Sequence, residues 1–412
     1  MTSSTTPLRD EMGDTLVSSG ERFELGFFTP YGRNDGKKYL GIWYYGYSPQ
    51  TVVWVANREN PLDNSRGVFS LEQDGNLQVM DGNRTSYWSA RIESTSSSFS
   101  FTRRLKLMDS GNLVLIQEAA NGSAILWQSF DYPTDTFLPG MKMDKNFMLT
   151  SWKSSIDPAS GDFKFQLDER ENQYIIMKNG SIPYWKSGVS GSSVRSDERL
   201  WLVSNLLMNS SRKPSRPLGN TTTTNGSPYN KINSTAVNYN NARLVMNFDG
   251  QIKFFLWRNV TWTLNWWEPS DRCSLFDACG TFSSCNSLNR IPCKCLPGFQ
   301  PKSPDNWKLG NFSEGCERMS PLCSKDVVQN FLELKSMEAG KPDVDYDYSD
   351  ENECMNECLS KCYCQAYSYQ KAEKGDNNFT CWIWFKDLIN VQEQYEGGRD
   401  LNVRVPLSVI GT

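Results

Sequence analysis

The sequence predicts a mainly β chain of several domains, with its last third stapled by disulfides. Three observations predict it. First, the stretch Glu72-Gln-Asp-Gly-Asn-Leu-Gln-Val-Met80 returns as Met108-Asp-Ser-Gly-Asn-Leu-Val-Leu-Ile116, and each copy runs on to a tryptophan, Trp88 or Trp127. A Gly-Asn turn, a hydrophobic strand and a Trp recurring about every 40 residues mark a repeated sheet. Second, 14 Trp, 17 Tyr and 21 Phe lie in short apolar runs separated by Gly, Asn, Ser and Thr, which suits strands and turns. Third, all 12 cysteines fall between Cys273 and Cys381, an even number that reads as a disulfide framework in an oxidising compartment.

The 412 residues exceed one ordinary core and suggest two to four domains at roughly 150 residues each. A net charge of -4, from 43 basic and 47 acidic residues, offers neither a basic face for nucleic acid nor a polybasic membrane contact. The chain has no histidine, which removes Ser-His-Asp and Cys-His nucleophilic chemistry and histidine metal sites. A glycosidase with paired carboxylates needs no histidine, but no carboxylate spacing favours one.

Ten Asn-X-Ser/Thr sequons also point to the secretory pathway: Asn83, Asn121, Asn179, Asn209, Asn220, Asn225, Asn233, Asn259, Asn311 and Asn378. No signal peptide precedes Thr2 and no apolar run of about 18 residues occurs. The expectation is a processed chain, with Met1 an added start residue and any membrane anchor beyond Thr412.

The first repeat domain is expected over residues 1–119. Phe23-Glu-Leu-Gly-Phe-Phe28 and Tyr39-Leu-Gly-Ile-Trp-Tyr-Tyr45 read as strands, and Thr51-Val-Val-Trp-Val-Ala56 as a strand buried on both faces. Trp43, Trp54 and Trp88 are expected in its core, each needing a partner for its indole N–H. The second domain, 120–268, continues the strand and turn rhythm through Trp152, Phe163, Phe165, Tyr174-Ile-Ile-Met177 and Trp185. Between Ser204 and Asn241 the composition turns to Asn, Ser, Thr, Pro and Lys, with sequons at Asn209, Asn220, Asn225 and Asn233. This reads either as a functional loop or as a sugar-coated insertion that protects a sheet edge. Asp249-Gly250 then makes a hairpin turn between alternating strands.

Cys273, Cys279, Cys285, Cys293, Cys295 and Cys316 form one cysteine module, for which 15 pairings exist. Only a local Cys293–Cys295 bond is ruled out by geometry. Zinc is the rival reading, opposed by the absence of histidine and the flanking sequons Asn259 and Asn311. The last six are Cys323, Cys354, Cys358, Cys362, Cys364 and Cys381. Asp350 can cap a helix with Glu353 reaching back, placing Cys354 and Cys358 one turn apart against Gln365-Ala-Tyr-Ser-Tyr369 and Cys381-Trp-Ile-Trp-Phe385. The alternating carboxylates of Asp343 to Asp347 lack the glycine and distal glutamate of an EF-hand, and read as a solvated acidic loop.

Leu25-Gly-Phe-Phe-Thr-Pro30, Val52-Val-Trp-Val-Ala-Asn-Arg-Glu-Asn-Pro61, Leu126-Trp-Gln-Ser-Phe-Asp-Tyr-Pro-Thr-Asp-Thr-Phe-Leu-Pro-Gly-Met141 and Tyr184-Trp-Lys-Ser-Gly188, with the Tyr39 strand, carry a family resemblance over essentially the whole chain. It resembles the extracellular region of plant S-domain receptor-like kinases, also called G-type lectin receptor kinases, which include the S-locus receptor kinases. The resemblance implies two tandem bulb-type lectin β-prism domains, an EGF-like module over 269–320 and a PAN/apple α+β domain over 321–410. It implies the pairs Cys273–Cys285, Cys279–Cys293, Cys295–Cys316, Cys354–Cys381 and Cys358–Cys364, leaving Cys323 for Cys362. The EGF-like part lacks the acidic pattern of calcium-binding relatives before Cys273, so no calcium, and no other metal, is expected. A membrane helix and a cytoplasmic Ser/Thr kinase would follow in the parent protein. ATP would belong to that kinase, so neither catalysis nor a cofactor is expected here.

Bulb lectins hold mannose through Gln-x-Asp-x-Asn-x-Val-x-Tyr. The first copy keeps Asp74 and Asn76 but has Glu72, Gln78 and Met80 elsewhere; the second keeps Asn112 and Val114, with Met108, Ser110 and Ile116 in the other places. Apolar replacements remove sugar donors and acceptors, so this reads as a vestigial sugar site whose Asp74 and Asn76 form turns. The function implied is a ligand-sensing receptor ectodomain at the extracellular face of the plasma membrane. It would bind a peptide or small-molecule signal and act by homodimer or receptor-complex formation. Contacts are expected along Ser204, Asn209, Asn220, Asn225, Asn233 and Asn241. The alternative is a genuine mannose- or glycan-binding lectin.

Overall fold

The structure is a computed structural model that describes residues 3–4, 6–63, 66–92, 102–119, 122–168, 173–187, 241–323, 327–348, 350–371, 379–395 and 398–410. It divides into two compact units, Met1–Ile182 with Ser196–Glu268, and Pro183–Arg195 with Pro269–Thr412. Among the described residues no helix is long and apolar enough to cross a membrane.

The first unit opens with twelve short strands: β1 (Ser3–Ser4), β2 (Leu8–Arg9), β3 (Thr15–Val17), β4 (Phe23–Phe28), β5 (Tyr39–Tyr44) and β6 (Val52–Val55), then β7 (Val68–Leu71), β8 (Leu77–Met80), β9 (Ser86–Ser89), β10 (Thr102–Leu107), β11 (Leu113–Ala119) and β12 (Gly122–Gln128). They form three antiparallel four-stranded sheets, β3-β4-β5-β6, β2-β7-β8-β9 and β1-β10-β11-β12. Alternation sends Leu25, Leu40, Ile42, Leu77, Leu113 and Leu115 fully inward, one reason these runs are strands. The last strand of each sheet contributes one tryptophan. Trp54 and Trp88 lie 6.0 Å apart, Trp54 and Trp127 6.0 Å, Trp88 and Trp127 5.7 Å, all edge to face. Such pairs contribute about 0.5–1.5 kcal/mol each beyond burial. The trio therefore ties three sheets into one prism. Trp54 donates to the Tyr132 carbonyl at 2.9 Å and Trp43 to Glu24 at 2.9 Å, which supplies two of the indole partners the sequence requires.

Because β12 pairs with β11, the first prism runs on to Gln128, past the division expected between residues 119 and 120. A second set follows: β13 (Thr136–Phe137), β14 (Met148–Ser154), β15 (Asp157–Asp168), β16 (Gln173–Lys178), β17 (Ile182–Lys186), β18 (Ala242–Met246), β19 (Ile252–Arg258) and β20 (Thr261–Glu268). One ladder runs β14-β15-β16 and another β13-β18-β19-β20, around Phe137, Phe165, Leu244, Phe254 and Ile252.

The second unit combines the two cysteine-rich modules. Its strands are β21 (Ser283–Cys285), β22 (Cys293–Cys295), β23 (Phe299–Pro301), β24 (Cys316–Arg318), β25 (Gln329–Met337), β26 (Val344–Tyr348), β27 (Ala366–Lys371), β28 (Phe379–Trp384), β29 (Val391–Gln392) and β30 (Arg399–Pro406). Its helices are α1 (Pro304–Lys308), α2 (Glu351–Ser360) and α3 (Leu407–Ile410). A five-stranded sheet runs β25-β30-β27-β28-β26. One core joins Phe282, Leu296 and Phe299 to Trp382, Trp384, Leu401 and Val403, so the modules expected at 269–320 and 321–410 share their interior. The parallel pairing of β21 with β29 adds to that joint.

All six disulfides form: Cys273–Cys285, Cys279–Cys293, Cys295–Cys316, Cys323–Cys362, Cys354–Cys381 and Cys358–Cys364. They are the pairs the resemblance implies. Cys279, Cys285 and Cys293 cluster closely enough to suggest metal ligation, but their sulfurs are all spent in these bonds. Asp350 caps α2 by accepting the Asn352 N–H at 3.0 Å, and Cys354 and Cys358, one turn apart on the helix, are both fully buried.

The acidic run Asp343 to Asp347 is not the solvated loop expected from its charge. Val344–Tyr348 is the edge strand β26, paired residue by residue with β28, and Asp347 accepts the Thr380 hydroxyl at 3.0 Å. Carboxylates alternating along an edge strand face water while the backbone keeps its ladder.

Candidate functional site

Of the positions compared with a sugar site, Glu72, Asp74 and Asn76 lie at a hairpin turn, while Gln78 and Met80 lie on β8. In the first copy the Gly75 N–H donates to the Glu72 carbonyl at 2.8 Å and the Glu72 N–H to the Asn76 carbonyl at 2.8 Å. The Asp74 carboxylate accepts the Asn76 N–H at 2.9 Å. In the second copy the Gly111 N–H donates to Met108 and the Met108 N–H to Asn112, each at 2.9 Å. Gly75 and Gly111 take φ of 81° and 88°, a left-handed conformation that costs glycine least.

The turn between β18 and β19 is a third copy of the same closure. There the Gly250 N–H donates to Asn247 at 3.1 Å, the Asn247 N–H to Gln251 at 2.9 Å, and Asp249 accepts the Gln251 N–H at 3.0 Å. A longer relative joins β3 to β4, closed by the Glu21 N–H on the Ser18 carbonyl at 2.9 Å. Sequence reading finds the Asp249-Gly250 hairpin but does not count it as a repeat, because no Asn follows the glycine. The Ser19-Gly20 turn is missed outright.

Several groups that would meet a sugar are engaged within the protein. The Asn112 amide donates to Gln128 at 2.9 Å and accepts from the Ser129 hydroxyl at 3.3 Å and the Phe130 N–H at 3.2 Å. The Asn76 side-chain oxygen Oδ1 accepts the Ile92 N–H at 3.3 Å. Glu72 accepts from the Ser70 hydroxyl at 2.5 Å, and Met80 is buried. Arg103 lies across the first turn, donating to the Gly75 carbonyl at 2.5 Å; a Cβ at Gly75 would sit 1.6 Å from its Nη1. Asp109 reaches the Ser19-Gly20 turn in the same way, accepting the Gly20 N–H at 2.7 Å and the Ser19 hydroxyl at 3.3 Å. The Gly20 N–H holds the Asp109 carboxyl below the usual range.

Two motifs that carry the resemblance turn out to be a buried clamp. Asn57 accepts the Leu40 N–H at 2.8 Å, and its amide donates to the Asn60 carbonyl at 3.0 Å. Arg58 donates to the carbonyls of Pro158 at 2.7 Å, Ser151 at 2.7 Å and Thr150 at 3.2 Å. Burial pulls the Arg58 guanidinium down and pushes the Asp135 carboxyl up, while the charge of each offsets the other's shift. Asp135 accepts from Thr134 and Thr136, each at 3.2 Å, and its carbonyl takes the Met246 N–H at 2.8 Å.

Of the expected ligand segment, Ser204, Asn209, Asn220, Asn225 and Asn233 lie outside the described residues. Asn241 is described: its side-chain oxygen accepts from Arg22 Nη2 at 3.3 Å. An aromatic cluster occupies the same part of the unit. Tyr47 stacks on Trp257 at 3.9 Å and on Tyr44 at 5.3 Å, Trp257 meets Trp262 at 5.3 Å, and Arg243 stands 4.6 Å over Trp262. Burial pushes the Tyr44 hydroxyl up and the Arg243 guanidinium down, and the Arg22 and Arg243 charges partly oppose the first shift. Among the sequons, Asn83, Asn179, Asn259 and Asn311 are exposed; Asn121 and Asn378 also lie outside the described residues.

The D-mannose binding lectin family model matches residues 51–155, the S-locus glycoprotein domain 212–303 and the PAN-like domain 323–391. A G-type lectin S-receptor-like serine/threonine-protein kinase of Arabidopsis thaliana is 45% identical over 411 residues, 99% of this chain and 47% of the relative. Another from the same plant is 36% identical, over 94% of this chain and 46% of the relative. A third Arabidopsis thaliana relative, whose name describes an inactive G-type lectin S-receptor-like serine/threonine-protein kinase SRK, is 31% identical over 99% of this chain and 73% of the relative. The chain spans about half the length of the first two.

Proposed function

The chain belongs to the G-type lectin S-receptor-like kinase family, and we propose that it is a ligand-sensing ectodomain rather than a sugar-binding lectin. The observation that supports this reading is the engagement of Asn112 and Asn76, whose amides serve neighbouring backbone and side chains. A sugar would have to displace those bonds, and the groups it freed would be left unpaired at a cost of about 1–3 kcal/mol each. The prism is then a scaffold. The signal is an extracellular peptide or small molecule, met by the segment from Ser204 to Asn241 where it returns to Arg22 and the Tyr47–Trp257 stack.

In the longer parent, at the plasma membrane, ligand-driven association of ectodomains would bring two cytoplasmic kinase domains together, and ATP would be their substrate. The test is the light-scattering mass of the deglycosylated chain with and without fractions from candidate sources. A ligand-dependent doubling supports association; a mass unchanged by a fraction shown to bind rules it out. The second reading, a mannose or glycan lectin, draws on the match to the D-mannose binding lectin model. Saturable, mannose-competed binding on a glycan array that requires Asp74 and Asn76 would establish it in place of the first.

A further inference from the structure

The rings of Tyr44, Tyr47 and Trp257 form a stack with two unlike ends. Tyr44 lies 5.3 Å from Tyr47 with 10° between their planes, and Tyr47 lies 3.9 Å from Trp257 with 15°. Trp262 does not cap the Trp257 end. It stands 4.9 Å from Tyr44, 6.2 Å from Tyr47 and 5.3 Å from Trp257, inclined to them by 56° to 64°, and so runs along the side of the stack. A ring on the far face of Trp257 would be too distant to touch Tyr44. Tyr44 is buried whereas Trp257 is half-buried, and among the described residues no further ring meets that outer face. One end of the stack is inside the protein and the other is at its surface.

The surface end lies at a hairpin tip. Arg258 pairs with Thr261, and Trp257 with Trp262, across the turn from β19 to β20. The two residues between them take φ of 49° at Asn259 and 63° at Val260, the double left-handed form of a two-residue turn. Asparagine tolerates that form, but a β-branched valine adopts it only at a cost, so the flanking tryptophan pair rather than the turn's own preference favours this hairpin. Asn259, Val260 and Thr261 are all exposed. Together they are a sequon, and of the ten in the chain it alone has an aromatic residue two positions before the asparagine.

We propose that Asn259 carries an N-linked glycan whose first N-acetylglucosamine packs on the outer face of Trp257 and completes the stack. The bond joins Asn259 Nδ2 to the anomeric carbon of the sugar; the amide gives up a proton and the sugar leaves a lipid pyrophosphate carrier, with no change in oxidation state. A pyranose ring presents a face of C–H groups whose hydrogens are weakly positive, while the indole face is negative, so the two attract as they shed water. Two residues span at most about 7 Å, which leaves the ring within reach of a sugar held on the Asn259 side chain. Tethering also lowers the entropy cost of bringing the two together. The inference concerns this hairpin alone and does not rest on the signalling reading.

The test uses the full chain secreted from cells that make only oligomannose glycans, trimmed enzymatically to a single N-acetylglucosamine at each occupied sequon. Peptide mass spectrometry should find that sugar on Asn259. With isotopically labelled N-acetylglucosamine, the NMR signals that vanish in Asn259→Gln should lie upfield of those of the other sugars through the indole ring current, and should lose that shift in Trp257→Leu. In denaturant unfolding, Asn259→Gln should lower the folding equilibrium constant roughly two- to tenfold in the unaltered chain and leave it unchanged in the Trp257→Leu background. If Trp257→Leu does not fold, the ring-current shift in the unaltered chain still decides. An unmodified Asn259, unshifted sugar signals, or a loss in Asn259→Gln of the same size with and without Trp257 overturns the proposal.

Discussion

Arg58 Nη2 donates to the carbonyl oxygen of Ser151 at 2.7 Å, across 93 residues of sequence, with both residues buried. Through it, the loop after β6 holds the strand β14. Replacing Arg58 by Ala should cost about 3–5 kcal/mol, since it strands several carbonyls and leaves the buried Asp135 with the Arg243 charge alone to offset its burial. Thermal unfolding of Arg58→Ala beside the double variant Arg58→Met/Asp135→Asn measures it. The double variant should regain a substantial part of the loss; equal stabilities for the two would mean that the charge pairing contributes nothing.

Asp109 offers a pH test of the turn-to-turn contact. Its folded pKa is depressed, first by the Gly20 N–H, so its contribution is fully present above the unfolded carboxylate value near 3.9. That contribution is lost as pH falls through the lower folded value. Asp109→Asn should therefore be less stable than the unaltered chain at neutral pH, and the gap should close on acidification below about pH 4. A gap that is constant across this range would assign the effect to shape alone.

Asn112→Ala removes one donated and two accepted hydrogen bonds around the start of the Ser129–Asp131 turn. A loss of about 1–3 kcal/mol is expected, with amide exchange quickening at Phe130. A stable variant that had instead lost binding to a mannose-coated surface would mark Asn112 as a sugar ligand.

Cys354 and Cys381 are fully buried, and their bond fastens α2 to β28. The paired change Cys354→Ala/Cys381→Ala should lower stability by about 2–4 kcal/mol. Denaturant titration reads the midpoint, and an unchanged midpoint would show that packing alone docks the helix.

Asp271 spends one carboxylate oxygen on the Ser274 N–H at 3.0 Å, capping the short 3-10 turn that carries Cys273 of the Cys273–Cys285 disulfide. The melting temperature should not respond to calcium or to its chelation. A calcium-dependent rise that disappears in Asp271→Asn would place a cation there.

Much of this architecture is legible in the residues themselves. Gly75 and Gly111 announce their turns because few other residues adopt a positive φ, and the two-residue period of a strand puts Leu77 with Val79, and Leu113 with Leu115, on one face. The strand over Val344–Tyr348 does carry a strand's alternation, with Asp345 and Asp347 between Val344, Tyr346 and Tyr348, but its carboxylates read as readily as a loop, and pairing with β28 decides between the two. Arg58 was legible as part of a motif but not as a clamp, since its acceptors are main-chain carbonyls that any residue could supply.

The repeat of Glu72–Met80 at Met108–Ile116 is therefore the part that the sequence alone determined: local periodicity and turn chemistry need only near neighbours to act. The use of those turns was decided in three dimensions. Whether the Asn112 amide meets a sugar or Gln128 and Phe130 depends on where a later strand returns. Which face of the Trp257 ring is covered depends on where Tyr47 comes to rest. Hydrogen bonds and charges are satisfied by proximity in space, and that proximity is set only when the sheets close.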